Sequence, residues 1–206
     1  MPPVIIWLVV SIIGAHIYAL IDPHFYFQLL RWGAVTAGPM NLQLIDGSSL
    51  SLGDRPLSGI PSLVLHVFLH GDWMHLGLNV FILLATANAA ARPFGSGPKG
   101  ILGFLLFFFA CSATGAAFHI LLQPSEIPMI GASTGVSGMI AAAGWAVGGR
   151  RGALQFVMPW LLINLGMALF DTAFGLPISW AGHIGGLIAG AVLYPTFVRF
   201  FFSRYR

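Results

Sequence analysis

The stretch PMIGASTGVSGMIAAAG, residues 128–144, places two serines at the start of an otherwise apolar segment of small residues. Ser133 and Ser137 are four residues apart, so in a helix both hydroxyls lie on one face. A serine in an apolar helix is a weak signal by itself, because its hydroxyl can bond back to a carbonyl one turn earlier. The two serines become candidate site residues because other apolar segments also carry polar side chains.

The composition is that of an integral membrane protein. Of 206 residues, 57% are hydrophobic and 7% are charged, and the mean hydropathy is +0.88, whereas soluble domains carry about 25% charged residues. A membrane-spanning helix needs about 20 apolar residues, and six such runs lie near residues 3–21, 76–92, 98–122, 133–149, 153–174 and 180–202. We predict an all-α membrane protein with six transmembrane helices. It forms a single domain over residues 1–206, with a long outer loop at 22–74.

The basic residues indicate topology rather than nucleic-acid binding, because they are spread along the chain and form no patch. Arg31 and Arg55 lie in the outer loop. The other seven fall on the opposite side of the predicted bundle: Arg92, Lys99, Arg150, Arg151, Arg199, Arg204 and Arg206. The positive-inside rule therefore predicts cytoplasmic termini. No Arg- and Ser-rich leader precedes the first span, which favours a bacterial plasma membrane over an organelle.

A cluster of histidines ends the outer loop and enters the second span. His66 and His70 are four residues apart, as are His75 and Asn79, so each pair can share a helical face. Histidines at this spacing can bind zinc. However, the only nearby carboxylate is Asp72, and no His-Glu-x-x-His arrangement is present. We predict no metal and no cofactor.

The sixth span combines one histidine with a ridge of glycines. His183, Gly186 and Gly190 are spaced to share a helical face, and small residues at such positions allow two membrane helices to pack closely. Close packing would bring a serine hydroxyl within about 3 Å of the imidazole, as general-base activation requires. Asp171 precedes a loop at the outer interface, where we expect it to cap or face water rather than complete a triad.

These motifs resemble those of the rhomboid intramembrane serine proteases. The resemblance covers the six-helix core and rests on three elements: His66, His70, His75 and Asn79 in the second helix; Gly131-Ala132-Ser133 at the start of the fourth; and Ala181-Gly182-His183-Ile184-Gly185-Gly186 in the sixth. It implies a six-helix rhomboid-like bundle with a Ser-His dyad. His183 would be the base, and His75 and Asn79 would donate to the oxyanion together with the backbone amide of the nucleophile. Supporting roles would fall to His66, His70, Gly131 and Gly186.

The nucleophile has two alignments. The form Pro-Met-x-Gly-Ala-Ser aligns without gaps on Ser133, with Thr134 where the family has glycine. The pattern Gly-x-Ser-Gly is matched literally around Ser137, but that register places Trp145 where glycine is usual. We favour Ser133 and keep Ser137 as the alternative. In the favoured register Ser137 replaces an aromatic residue that often supports the catalytic histidine, which leaves the stacking support of His183 unaccounted for.

The resemblance predicts an intramembrane serine endopeptidase that cleaves transmembrane proteins near the outer membrane face. Its partners would be these substrates and the lipid bilayer, with no nucleic acid. The alternative is an inactive rhomboid-like protein that binds transmembrane helices as a chaperone or trafficking factor. A transporter is disfavoured, because no Lys, Arg, Asp or Glu lies deep within a predicted span and no inverted repeat is evident.

Overall fold

A computed structural model describes residues 1–38, 41–43, 49–51, 59–123, 128–174 and 178–202. Arg55, Arg204 and Arg206, which entered the topology prediction, lie outside the described residues.

Helices dominate the described residues. The helices are α1 (Pro3–Ile21), α2 (Pro23–Gly33), α3 (Ser62–Leu65), α4 (Trp73–Ala91), α5 (Pro98–Leu122), α6 (Ser133–Phe174) and α7 (Trp180–Phe201). Short 3-10 turns follow α3 and α4, at His66–Phe68 and Arg92–Phe94. Within the described residues, five helices are long and apolar enough to cross a membrane: α1, α4, α5, α6 and α7. The protein is therefore a multi-pass integral membrane protein.

Helix α6 is interrupted at two glycines. Gly148 (φ −141°, ψ 20°) and Gly149 (φ 58°, ψ −143°) leave the helical conformation, and the positive φ of Gly149 is one that favours glycine. We call residues 133–147 the first limb of α6 and residues 150–174 the second limb. A Cβ on Gly144 would lie 2.5 Å from the carbonyl oxygen of Gly152, although an unbroken helix would separate these residues by about 12 Å along its axis. The second limb therefore turns back against the first.

The first limb of α6 packs backbone to backbone against α7. A Cβ on Gly186 would overlap the carbonyl of Thr134, and a Cβ on Gly190 would overlap the backbone of Gly138. Such an approach is possible only where side chains are absent. The glycine ridge seen in the sequence lies at this contact. The main apolar core lies beside it, around the buried rings of Phe94, Phe104, Phe107, Phe108 and Tyr194.

The segment between α1 and α4 is built from short elements. Asp22 caps α2 by accepting hydrogen bonds from the amides of His24 (2.9 Å) and Phe25 (3.2 Å). Two three-residue strands, β1 (Asn41–Gln43) and β2 (Ser49–Ser51), pair antiparallel. Two backbone hydrogen bonds of 2.9 and 2.8 Å then join Val35 to Met129. The segment between α1 and α4 is thus attached to the residues that lead into α6.

We expect Gly190→Ala to destabilise the protein, because its Cβ would push α7 away from the backbone of Gly138. Overpacking of this kind costs about 1–3 kcal/mol. Gly14→Ala is the matched control, since a Cβ on Gly14 meets nothing within 4 Å. Unfolding in detergent, followed by helicity, measures both variants. Equal stability of the two would show that the contact between α6 and α7 can relax freely.

Candidate active site

The structure brings Ser133 and His183 together. Ser133 is the first residue of α6 and His183 lies in the first turn of α7. The serine Oγ lies 2.8 Å from Nε2 of the imidazole. On the other side of the ring, Nδ1 lies 2.8 Å from Oδ1 of Asn164, a residue in the second limb of α6.

The hydrogen bonds of Asn164 fix the tautomer of His183. The Asn164 Nδ2 group donates to the carbonyl oxygen of Trp160 at 2.8 Å, so the amide oxygen faces the imidazole. An amide oxygen only accepts hydrogen bonds, and Nδ1 must therefore carry the proton. Nε2 is then left as the acceptor for the Ser133 hydroxyl, which is the state that a general base requires.

Ser137 has a different environment from Ser133. Ser137 is fully buried, and its hydroxyl accepts a hydrogen bond of 2.9 Å from the indole nitrogen of Trp160. Ser133 is partly exposed. The Trp160 ring lies 6.3 Å from the His183 ring, at an interplanar angle of 38°. The aromatic neighbour of His183 thus comes from the second limb of α6, and Ser137 holds it.

His75 and Asn79 lie on α4, beside the turn that precedes Ser133. Gly131 in that turn has φ +110°, and a Cβ built on it would lie 2.6 Å from Nε2 of His75 and 3.8 Å from Nδ2 of Asn79. Only glycine both adopts this backbone conformation and leaves room for the imidazole. Asn79 Nδ2 donates one hydrogen to the carbonyl of His75 at 2.9 Å, so its second hydrogen is available to another acceptor.

His66 joins the segment before α4 to the start of α6. Its Nδ1 donates to the carbonyl of Ser62 at 2.7 Å, so Nε2 accepts from the Thr134 hydroxyl at 2.8 Å. Its own carbonyl accepts from the amide of Gly131 at 2.9 Å. His66 is fully buried, and this burial lowers its pKa to about 4. His66 therefore stays neutral and holds the turn around Ser133 at two points, the Gly131 amide and the Thr134 hydroxyl.

His70 supports the same turn from the side of α1. Its Nε2 accepts a long hydrogen bond of 3.4 Å from the amide of Ala132. Its ring packs edge-on against those of His75 (5.0 Å) and His16 (6.3 Å). Burial, followed by the proximity of these two imidazoles, lowers the pKa of His70 to about 3. Asp72 caps α4 by accepting from the amide of His75 at 2.8 Å, and this bond holds the pKa of its carboxyl below the ordinary value.

The described residues contain no group of three or more His, Cys, Asp or Glu side chains arranged to hold a metal ion. Asp171 is not a hydrogen-bond partner of the His183 ring, whose two nitrogens face Asn164 and Ser133. Its carboxylate accepts from the side-chain amide of Gln123 at 3.0 Å. The same Gln123 nitrogen donates to the carbonyl of Ile178 at 2.8 Å, and its oxygen accepts from the amide of Ala181 at 3.2 Å. Asp171 and Gln123 thus tie the C-terminal end of α5, the C-terminal end of α6 and the N-terminal end of α7 together.

The chain is similar to known proteins over most of its length. The family model of the Rhomboid domain matches residues 59–200. The chain belongs to the rhomboid family. It is also similar to Rhomboid-like protease 3 of Toxoplasma gondii, with 30% identity over 136 residues, or 64% of this chain and 49% of the relative. The chain spans about half the length of this curated relative.

Three side chains around this rhomboid site were not singled out from the sequence. They are Asn164, which contacts His183; Trp160, which lies beside it; and Thr134, whose hydroxyl is the partner of His66. A signal was present for Asn164, because an amide in the middle of an apolar helix needs partners for its polar atoms. Sequence spacing does not name those partners, since they lie on other helices.

We expect the stability of this rhomboid domain to fall as the pH drops below about 6.5. The unfolded state binds a proton on His66 near pH 6.5 and the folded state only near pH 4, so protons favour the unfolded state in this window. The loss is at most about 1.4 kcal/mol per pH unit for each such histidine. His66→Gln is the matched variant, because its amide can donate to the Ser62 carbonyl and accept from Thr134 without titrating. The measurement is the unfolding free energy in detergent between pH 7.5 and 4. Parallel curves for the two proteins would contradict this assignment.

Proposed function

We propose that this protein is an intramembrane serine endopeptidase with Ser133 as nucleophile and His183 as general base. The observation that carries the proposal is the 2.8 Å distance between the partly exposed Ser133 hydroxyl and Nε2 of His183. Membership of the rhomboid family supports the same reaction class. Ser137, the alternative nucleophile, is buried and engaged by Trp160, which supports the choice of Ser133.

In the first step, the oxygen of Ser133 attacks the carbonyl carbon of the scissile peptide bond while its proton passes to Nε2 of His183. The tetrahedral intermediate collapses when the C–N bond breaks, and the imidazolium gives that proton to the leaving amine. Water then attacks the acyl-enzyme, again with His183 as base, and releases Ser133 and the new carboxyl terminus. Each proton taken by His183 is thus returned within the same half-reaction.

The negative charge of each tetrahedral intermediate develops on the former carbonyl oxygen. We infer that the His75 imidazole, the free N–H of Asn79 and the backbone amide of Ser133 donate to it. The placement of His75 and Asn79 beside Gly131, two residues before the nucleophile, supports this role. Donors held in position before the reaction stabilise the charge without reorganising.

We also infer the arrangement in the membrane. The reversal of α6 at Gly148 and Gly149, which sets its two limbs side by side, supports six crossings. With cytoplasmic termini, as the basic residues predict, Ser133 and His183 at the starts of α6 and α7 lie toward the outer face. The substrates would be transmembrane proteins whose helices unwind locally, because an intact helix hides its carbonyls.

We expect a fluorophosphonate probe to label the purified wild-type protein in detergent. Ser133→Ala and His183→Ala should lose labelling, because one removes the attacking oxygen and the other removes its base. Ser137→Ala should keep it. The measurement is labelling intensity, with folding checked by helicity. A folded wild type that is not labelled and cleaves no transmembrane substrate would favour the helix-binding alternative.

We expect Asn79→Ala to lower kcat about 100- to 1,000-fold, the usual effect of removing one oxyanion donor. KM should change little, because the lost bond forms mainly in the transition state. Thr86→Val on the same helix is the control, since the Thr86 hydroxyl donates within α4 to the carbonyl of Ile82 at 2.7 Å. Steady-state cleavage of a transmembrane substrate measures both variants. Similar kcat values for Asn79→Ala and the control would remove Asn79 from the oxyanion site.

A further inference from the structure

We propose that Asn164 is a positioning residue that completes the Ser133–His183 dyad as a three-membered hydrogen-bonded chain. This inference rests on the proposed function and extends it to the second limb of α6. The resemblance to the rhomboid family implies a dyad alone, so the role of Asn164 comes from the geometry of this chain.

In this chain of hydrogen bonds, each group donates to the next, from Ser133 through His183 and Asn164 to the Trp160 carbonyl. The Trp160 carbonyl accepts from Nδ2 of Asn164 at 2.8 Å, Oδ1 of Asn164 accepts from Nδ1 of His183 at 2.8 Å, and Nε2 of His183 accepts from Ser133 at 2.8 Å. If the Asn164 amide were reversed, its N–H groups would face the Nδ1 hydrogen of His183, donor against donor. Its oxygen would face the Trp160 carbonyl, acceptor against acceptor. The Trp160 carbonyl therefore determines which nitrogen of His183 is free to act as a base.

Burial makes this arrangement persistent. Asn164 has no exposed surface, so water does not compete for its amide, and buried amide groups without partners are strongly disfavoured. When His183 takes the serine proton, its Nδ1–H still donates to Oδ1, now as a charge-assisted bond. A neutral amide thus orients and stabilises the imidazolium without placing a permanent charge in the membrane interior.

The same limb also limits the rotation of the imidazole. Trp160 lies one helical turn before Asn164, and its ring lies 6.3 Å from that of His183. The indole is itself held by its 2.9 Å hydrogen bond to Ser137. Two neighbouring side chains of one limb therefore contact His183, one at its Nδ1 edge and one beside its ring.

A purely structural role for Asn164 must be separated from a positioning role. A hydrogen bond between two membrane helices can serve packing alone. A packing role changes stability but leaves the tautomer of His183 to other groups. A positioning role places the proton on Nδ1, and this is observable whether or not the protein cleaves anything.

The first test is 15N NMR of the full-length protein in detergent, with labelled histidine and His183→Ala to assign the signal. In the wild type we expect His183 to be neutral with Nδ1 protonated and Nε2 unprotonated. In Asn164→Leu this tautomer should lose its dominance. Asn164→Asp should preserve it, because a carboxyl oxygen offers the same acceptor to the Nδ1–H of His183. The control is Thr114→Val, which removes only a bond within α5 to the carbonyl of Ala110.

The second test is cleavage of a transmembrane substrate. Asn164→Leu should lower kcat at least about 10-fold with KM nearly unchanged, since a misplaced base affects the chemical step. Asn164→Asp should recover most of the loss, and Thr114→Val should match the wild type.

Two outcomes overturn the proposal: a wild-type His183 protonated on Nε2, or a folded Asn164→Leu that keeps both the wild-type tautomer and kcat. The first does not depend on the folding of Asn164→Leu. A wild type with the expected tautomer that cleaves nothing would instead leave the positioning role standing and overturn the proposed function.

Discussion

The backbone contact between α6 and α7 is the constraint on which the site depends. Ser133 and His183 lie in the first turns of these two helices, and their bond of 2.8 Å tolerates displacements of only a few tenths of an ångström. The distance between the helices is set one and two turns further along α7, where Gly186 meets the backbone of Thr134 and Gly190 meets that of Gly138. The distance between Ser133 and His183 therefore depends on glycines, whose lack of a side chain lets the two helices approach closely.

A second constraint comes from the polar atoms that this bundle encloses. His66, Asn164 and Thr134 are all fully buried, and each is bonded to a partner on another element or on the backbone. Because an unpaired polar group is costly where water is absent, such partners restrict the bundle to one arrangement. The hydrogen bonds of these buried groups consequently specify one packing of the helices, whereas the apolar core around Phe107 allows more freedom in packing.

The sequence predicted the helices better than the connections between them. The runs at 3–21, 98–122 and 180–202 compare with helices at Pro3–Ile21, Pro98–Leu122 and Trp180–Phe201, because length and hydropathy define such segments. Helix α4 begins at Trp73 rather than near residue 76, since the polar Asp72 caps it and hydropathy does not detect a cap. The two short strands carry no hydropathy signal, and they were not predicted. Resemblance to the rhomboid motifs indicated His183, His75, Asn79 and Ser133, with Ser137 as the alternative nucleophile, and the structure has the bond between Ser133 and His183. Spacing could not indicate Asn164 or Trp160, whose contacts with His183 depend on how the second limb of α6 folds back.

The position of Trp160 has a consequence for how such a site can change in evolution. Its indole occupies space next to His183 and is anchored on the hydroxyl of Ser137, at the position where related proteins often carry the aromatic ring themselves. Two large rings at 137 and 160 would compete for one volume, and two small residues would leave the imidazole unsupported. A lineage that moves the aromatic group from one helix to the other must therefore alter both positions nearly together. The two positions are therefore structurally coupled, although they are 23 residues apart in the chain.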